Sequence, residues 1–280
     1  MKPLSKLKRS IFLALLVFIF AVTLPVLLFY STGYRLDGEY KLVQTGGLFI
    51  GIGESGASVY VDDKFLKKTS RFDQNTFVQN LLPGVHSIRV EKEDHHTWKK
   101  ELDVLPKKVT ESYPFLISKE PKVVLIEEGG RLFEEIRIAF ATSTADTSLL
   151  EASPATEDIF GDSFVKQLGN MIIWQDGNAL YARWAKGLDN IPLYFCNLEG
   201  LCQERLSVFA SQIALRHFDF YPGNNRVVLV ATGTGVFAVE IDNRSNKNFI
   251  PVYDERGALF RVHKGELYVK DRGSFYHVAL

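Results

Sequence analysis

The stretch TGGLFIGIGESGASVYVDD, residues 45–63, decides how the first half of the chain is interpreted. It contains GIGESG, which matches the G-x-G-x-x-G pattern of dinucleotide-binding loops at Gly51, Gly53 and Gly56. Such a loop needs a helix after it, because the N–H groups of the helix N-terminus hold the pyrophosphate. Here the next residues, ASVYVDD, alternate in polarity with period two, which predicts a strand. The glycines therefore join two predicted strands, and we expect no nucleotide and no other cofactor.

The alternating pattern continues beyond this stretch. In LLPGVHSIRVEKEDHHTWKKELDV, residues 81–104, Pro83-Gly84 marks a turn between strands. After the EDHH turn, Trp98 begins a strand whose inward face is apolar except at Lys100. Short strands between turn signals predict a small antiparallel sandwich.

The same residues resemble a known family. LFIGIGESGASVYVDDKF, followed by LLPGVHSIRVEKEDHHTW, is similar to a PEGA domain over residues 46–118. The positions that agree with the family are Pro83-Gly84, Lys92-Glu93, Trp98 and the last two residues of Glu54-Ser55-Gly56-Ala57. Asp63 and Asp94 stand where the family usually has glycine, and Asp tolerates the left-handed backbone better than most residues. The resemblance implies a small β-sandwich on a cell-envelope protein, without chemistry of its own.

The chain begins with a basic tail and a long apolar run. Residues 11–30, IFLALLVFIFAVTLPVLLFY, contain no charge, and as a helix they are about 30 Å long, which matches the hydrocarbon core of a bilayer. The tail, residues 1–10, has no acidic residue and favours the cytoplasmic side. We predict an uncleaved single-pass membrane anchor at 11–30, with the rest of the chain outside the cytoplasm. A cleaved signal peptide is the alternative, although its apolar core is usually shorter. The basic residues of the tail are Lys2, Lys6, Lys8 and Arg9.

The charge balance argues against a nucleic acid partner. Among 280 residues, 33 are basic and 33 are acidic. Four of the basic residues belong to the tail, so 29 basic residues face 33 acidic ones in the remainder. A nucleic-acid-binding domain is normally basic, so we expect none here.

The second half of the chain changes character twice. Residues 119–168 include ATSTADTSLLEASPATED, which is small, polar and without a period, and predict a linker and irregular segment. Residues 169–280 carry repeated hairpin signals, which predict a propeller-like antiparallel β region with two or three blades of four strands. The sequence does not decide whether this region is a partial propeller, a sandwich or part of an assembly with another chain. The predicted turns are Asp176-Gly177-Asn178, Gly233-Thr234-Gly235, Lys264-Gly265 and Asp271-Arg272-Gly273. The predicted fold class is therefore mainly β, after one N-terminal transmembrane helix.

Two groups of side chains are candidates for special roles. Cys196 and Cys202 bracket a predicted hairpin end, and outside the cytoplasm such a pair favours a disulfide over two free buried thiols. Trp174, Tyr181 and Trp184 form a possible aromatic surface for a sugar, with a packing role in the core as the alternative.

The sequence lacks the motifs of common enzymes. There is no G-x-S-x-G, no Walker loop and no H-E-x-x-H. We interpret His95-His96 as part of a turn rather than a metal site, because adjacent strand residues point to opposite faces. We therefore predict no catalytic residue and no metal.

The leading expectation is a non-enzymatic cell-envelope binding or scaffolding protein whose partner is an envelope protein or cell-wall glycan. The alternatives are an envelope hydrolase that uses acidic residues of the C-terminal β region, and a sensor or secretion component.

Overall fold

A computed structural model describes residues 6–141, 164–210, 212 and 214–280. Within these residues the helices are α1 (Lys6–Ser31) and α2 (Arg131–Ala141), with a short 3-10 helix at Leu193–Phe195. The strands are β1 (Tyr34–Leu36), β2 (Leu42–Gln44), β3 (Gly46–Gly51), β4 (Ser58–Val61), β5 (Lys64–Lys68), β6 (Asn75–Leu81), β7 (Gly84–Glu91), β8 (Trp98–Val104), β9 (Val109–Ser112), β10 (Lys122–Leu125), β11 (Val165–Leu168), β12 (Met171–Asp176), β13 (Ala179–Trp184), β14 (Arg205–Ala210), β15 (His217–Tyr221), β16 (Asn224–Ala231), β17 (Val236–Glu240), β18 (Phe249–Tyr253), β19 (Leu259–His263), β20 (Glu266–Asp271) and β21 (Ser274–Ala279).

The chain divides into two compact units. One unit contains residues 1–50, 76–85 and 103–112, and the other contains residues 51–75, 86–102 and 113–280. The predicted module at 46–118 therefore contributes residues to both units.

Helix α1 is long and apolar, and its surface is exposed. Residues Leu7–Ser31 have the length and composition to cross a membrane, and none of this segment is buried. The predicted segment 11–30 lies within it, and the helix continues through Pro25. Beyond its end, Arg35 donates to the carbonyl of Tyr30 at 2.9 Å and stacks its guanidinium over the Tyr30 ring. The prediction of one long apolar N-terminal helix is confirmed.

The first unit contains a three-stranded sheet in the order β6-β3-β9. Its β3 runs parallel to β9, with Gly47 opposite Val109. This pair differs from the predicted antiparallel arrangement, because the long connection through β4–β8 lets the chain return in the same direction. A Cβ on Gly46 would lie 2.3 Å from the carbonyl oxygen of Leu105, so this position requires glycine.

Strand β4 follows the glycine-rich stretch in a sheet of order β5-β4-β7-β8. The predicted strand after Gly56 is confirmed, and its inward residues Val59 and Val61 are buried. The turn from β4 to β5 places Asp62 and Asp63 in the left-handed region, with φ of 50° and 59°. Two consecutive residues with positive φ are typical of the tight hairpin turn that usually recruits Asn-Gly.

The inward face of β8 contains a buried charge at Lys100. Its ammonium lies 2.7 Å from a carboxylate oxygen of Glu240 in β17, and the two side chains are 0% and 5% exposed. Glu240 also accepts hydrogen bonds from the Trp98 indole at 3.3 Å and the Asn248 backbone N–H at 2.8 Å. This network joins the sheet that contains β8 to the sheet that contains β17.

In the described part of the second half, three four-stranded antiparallel sheets follow one another. Two have their strands in chain order, β11-β12-β13-β14 and β15-β16-β17-β18, and the third has the order β10-β21-β20-β19. The predicted hairpins are confirmed in the pairs β12–β13, β16–β17, β19–β20 and β20–β21. The main core of this region lies between the first two sheets, and its buried members include Met171, Ile173, Leu180, Tyr194, Phe195, Phe218 and Phe220.

The segment 119–168 is not irregular in its described parts. It contains β10, α2 and β11, and the small polar stretch at 142–163 lies outside the described residues. Helix α2 forms because Phe133, Ile136 and Phe140 recur at helical spacing and pack against Phe275 and its neighbours. The prediction of an irregular segment is therefore wrong for residues 122–125, 131–141 and 165–168.

Candidate functional site

The three predicted aromatic residues do not share one surface. Trp174 stacks on Tyr181 across β12 and β13, with ring centroids 5.7 Å apart, but Trp174 is only 5% exposed. Trp184 lies three positions after Tyr181 in the same strand, so its side chain is on the opposite face. There it packs against the main core and donates its indole N–H to the carbonyl of Asp189 at 3.1 Å. These residues therefore contribute mainly to packing, and Tyr181 carries the guanidinium of Arg205 over its ring at 4.5 Å.

The two cysteines are paired. Cys196 and Cys202 face each other in an antiparallel bridge, and their sulfur atoms are 2.03 Å apart as a disulfide. The loop between them turns at Gly200, whose N–H donates to the carbonyl of Asn197 at 3.0 Å. The pair closes a short loop and is a structural feature of the connection between β13 and β14.

Buried carboxylates could serve a hydrolase, and Glu240 is the clearest case in the described part of the C-terminal region. Burial raises its pKa, while Lys100 opposes that shift. Both of its oxygens are already bound, one by Lys100 and Asn248 and the other by Trp98. Glu240 is therefore placed as a structural partner of Lys100. Across the residues that the structure describes, no three His, Cys, Asp or Glu side chains are grouped as metal ligands.

Strand β10 forms an open sheet edge within the described residues, where β21 is its only strand neighbour. Ile126 donates its N–H to the carbonyl of Phe275 at 2.9 Å, one position beyond the ladder that pairs β10 with β21. Residues of an antiparallel strand alternate in the direction of their N–H and C=O groups, so Val124 also faces β21. Val123 and Leu125 therefore direct their backbone groups away from the sheet. The three side chains are 42%, 44% and 56% exposed in the order Val123, Val124, Leu125.

In each of the other two four-stranded sheets, one outer strand, β14 or β18, is protected. In β14 the carbonyls of Ser207 and Val208 accept hydrogen bonds from the ammonium of the half-buried Lys247. Strand β18 contains Pro251, which has no N–H to offer to a further strand. Sheet edges are commonly blocked by charges or proline because an unblocked edge pairs with other chains. Within the described residues, β10 carries a charge only at its first residue, Lys122, and no proline between Lys122 and Leu125.

An apolar groove of about 560 Å³ lies beside this edge. Helix α2 forms one wall with Leu132 and Phe133, and Phe133 is fixed by an edge-to-face contact with Phe275 at 5.4 Å. The sheet forms the floor, where Val124 is opposite His277 and His277 is opposite Tyr268. The polar groups of the floor are engaged locally, because His277 Nε2 lies 3.0 Å from a carboxylate oxygen of Glu266. Burial raises the pKa of the Tyr268 hydroxyl. The edge of β10 and this groove form the candidate functional site.

Sequence reasoning missed this site because it assigned the segment to a linker. The signal was present in KVVL, which follows Pro121 and contains two adjacent β-branched residues. The helical spacing of Phe133, Ile136 and Phe140 was a second signal. Neither pattern indicates which strand β10 pairs with, because its partner residues in β21 lie 151 to 157 positions further along the chain.

No protein-family model matches the chain, and no curated protein matches it in sequence.

Proposed function

We propose that this chain is a non-enzymatic scaffolding protein of the cell envelope, held by α1 as a single-pass anchor. The observation that carries this proposal is the exposed apolar surface of α1, which a bilayer would bury. Lys8 and Arg9 at its start favour a cytoplasmic N-terminus by the positive-inside rule. On this proposal the strand-rich remainder is extracytoplasmic.

The β-rich part is proposed to contain a PEGA-like sandwich and a propeller-like region. Two features support the PEGA resemblance: Asp63 and Asp94 have φ of 59° and 57°, so both hold the left-handed backbone for which the family uses glycine. The three consecutive four-stranded sheets of the described second half support blades of propeller type.

The proposed binding element is the open edge of β10, and its partner is a protein strand. An edge with free backbone N–H and C=O groups is complementary to another extended chain, and alternate side chains of that chain can enter an adjoining groove. The packing roles of Trp174 and Trp184 disfavour a glycan platform, and the occupied oxygens of Glu240 disfavour that residue as a hydrolase acid.

Site-specific photocrosslinking in the native envelope tests this function. A photoreactive amino acid replaces Val123, whose side chain lies at the open edge, or Leu188, which is 60% exposed in a loop of the β11–β14 region. We expect a protein adduct from position 123 and a much weaker one from position 188. Equal labelling at both positions, or labelling of glycan alone at position 123, would contradict the proposal.

A further inference from the structure

The backbone geometry of β10 restricts how a second strand can pair with it. Only Val123 and Leu125 direct N–H and C=O groups outward, so a partner strand must hydrogen-bond at these two positions. In an antiparallel pair of two identical strands, outward-facing residues must lie opposite outward-facing residues. One register satisfies this rule within the bounds of β10 and uses both positions: Val123 lies opposite Leu125 of a second copy, and Val124 lies opposite its own counterpart.

The charges at the two ends of β10 suit the same arrangement. Lys122 begins the strand, whereas Glu127 and Glu128 follow its end, and no ion pair involves any of these three side chains within the described residues. An antiparallel partner reverses the ends, and this register places each Lys122 opposite Ile126 of the other copy, which directly precedes Glu127 and Glu128. A parallel pair would instead place like charges side by side, which destabilises neighbouring strands.

This register also brings together the apolar side chains and grooves of the two copies. The two Val124 side chains meet at a non-hydrogen-bonded position, where opposing residues approach most closely. Each Val124 lines its own groove, so the two grooves become continuous across the pair. Two anchored copies share one membrane, which raises their effective concentration and assists a short interface.

We infer that β10 pairs with β10 of a second copy of this chain, in antiparallel register about Val124. This inference names the partner of the proposed binding edge and rests on the proposed function. The pairing makes the anchored protein a symmetric dimer whose two grooves form one apolar channel across the joined sheets.

Cysteine crosslinking of the full chain in membranes tests this register. In Val124→Cys, the new thiols of two copies lie opposite each other at about 4.5 Å between Cα atoms, which permits a disulfide. In the matched control Val123→Cys, each thiol lies opposite Leu125 of the other copy and has no thiol partner. After mild oxidation, we expect Val124→Cys to give a dimer band on a non-reducing gel. We expect Val123→Cys to give no such band.

A second pair of variants tests the backbone requirement. Val123→Pro, introduced together with Val124→Cys, removes an outward N–H while leaving the hydrogen bonds from β10 to β21 in place, and should abolish the dimer band. Val123→Thr in the same background keeps the N–H and should preserve the band. Far-UV circular dichroism checks that both proteins remain folded.

Three outcomes would overturn the inference: no dimer from Val124→Cys, equal dimer from both single cysteine variants, or dimer that persists in Val123→Pro. A failure of this inference can be distinguished from a failure of the proposed function. If the photoreactive residue at position 123 labels a different envelope protein and Val124→Cys gives no dimer, the scaffold function stands and the homotypic pairing is wrong.

Discussion

Lys100 and His217 are both buried ionisable side chains, and the protein accommodates them in opposite ways. Lys100 is fully enclosed against the carboxylate of Glu240, which lies 140 residues further along the chain. His217 packs edge-to-face on Phe260 at 4.9 Å, and its Nε2 has no hydrogen-bond partner among the described residues. Lys100 has a carboxylate partner, whereas burial favours the neutral form of His217 by lowering its pKa. The comparison indicates that a buried ion pair fixes which sheets meet, whereas a buried neutral histidine makes stability depend on pH.

The largest effect is expected from breaking the ion pair. Lys100→Met leaves Glu240 buried without its main counter-charge, and loss of one partner of a buried pair costs roughly 3–5 kcal/mol of unfolding free energy. The control Lys99→Met changes an exposed neighbour and should stay within about 0.5 kcal/mol. Urea unfolding of the full chain in detergent measures both values. If the two variants are equally stable, Lys100 does not join the two sheets in the way described.

A second test replaces both members of the pair. Lys100→Met combined with Glu240→Leu removes both charges and should recover most of the loss, because apolar residues of similar volume often substitute for a buried ion pair. A double variant no more stable than Lys100→Met would show that the cost comes from altered packing rather than from the unpaired carboxylate.

The next effect is the pH dependence from His217. Burial lowers the pKa of His217 to about 2, with Arg261 and Lys166 adding to the shift, whereas the unfolded chain takes up this proton near pH 6.5. Below pH 6.5 the unfolded state therefore binds a proton that the folded state excludes. The unfolding free energy should fall by about 2 kcal/mol between neutral pH and pH 5, and His217 contributes no pH dependence above that range. Urea unfolding at pH 5, 6 and 7 measures the slope.

Two variants isolate the contribution of His217. His217→Gln should flatten this part of the profile, whereas His95→Gln, in the turn before β8, should retain it. A slope that survives His217→Gln would show that another group is responsible.

The smallest effect concerns the indole that supports Glu240. Trp98→Phe removes a hydrogen bond of 3.3 Å to the carboxylate and should cost about 1.5 kcal/mol, the lower end for a bond to a charged group. In the Glu240→Gln background the same substitution should cost less, because the acceptor is then neutral. An equal cost in both backgrounds would assign the loss to ring packing alone.

The local parts of the fold could be predicted from sequence, and the long-range parts could not. Period-two alternation and glycine turns identified β4, β7 and the hairpins of the second half, since both signals lie within a few residues. The parallel pairing of β3 with β9 joins residues 62 positions apart, and the pairing of β10 with β21 joins residues 151 to 157 positions apart. Local periodicity contains no information on such pairings.

The candidate site could be predicted from the sequence only in part. The odd spacing of Tyr181 and Trp184 in one strand was sufficient to separate them onto two faces, and it was visible in the sequence. The open edge was not visible, because its recognition depends on Lys247 and Pro251 protecting the other outer strands. The sequence identified Lys100 as a polar residue on an apolar face, but only the structure identified Glu240 as its partner.

The most direct test of the account is the membrane topology of the full chain. A copy with a C-terminal tag is expressed, its membranes are washed with alkaline carbonate, and intact cells are treated with protease. The account predicts that the protein stays with the membrane pellet and that the tag is removed from outside. Release into the carbonate wash, or a tag protected on intact cells and cleaved only after lysis, would contradict it.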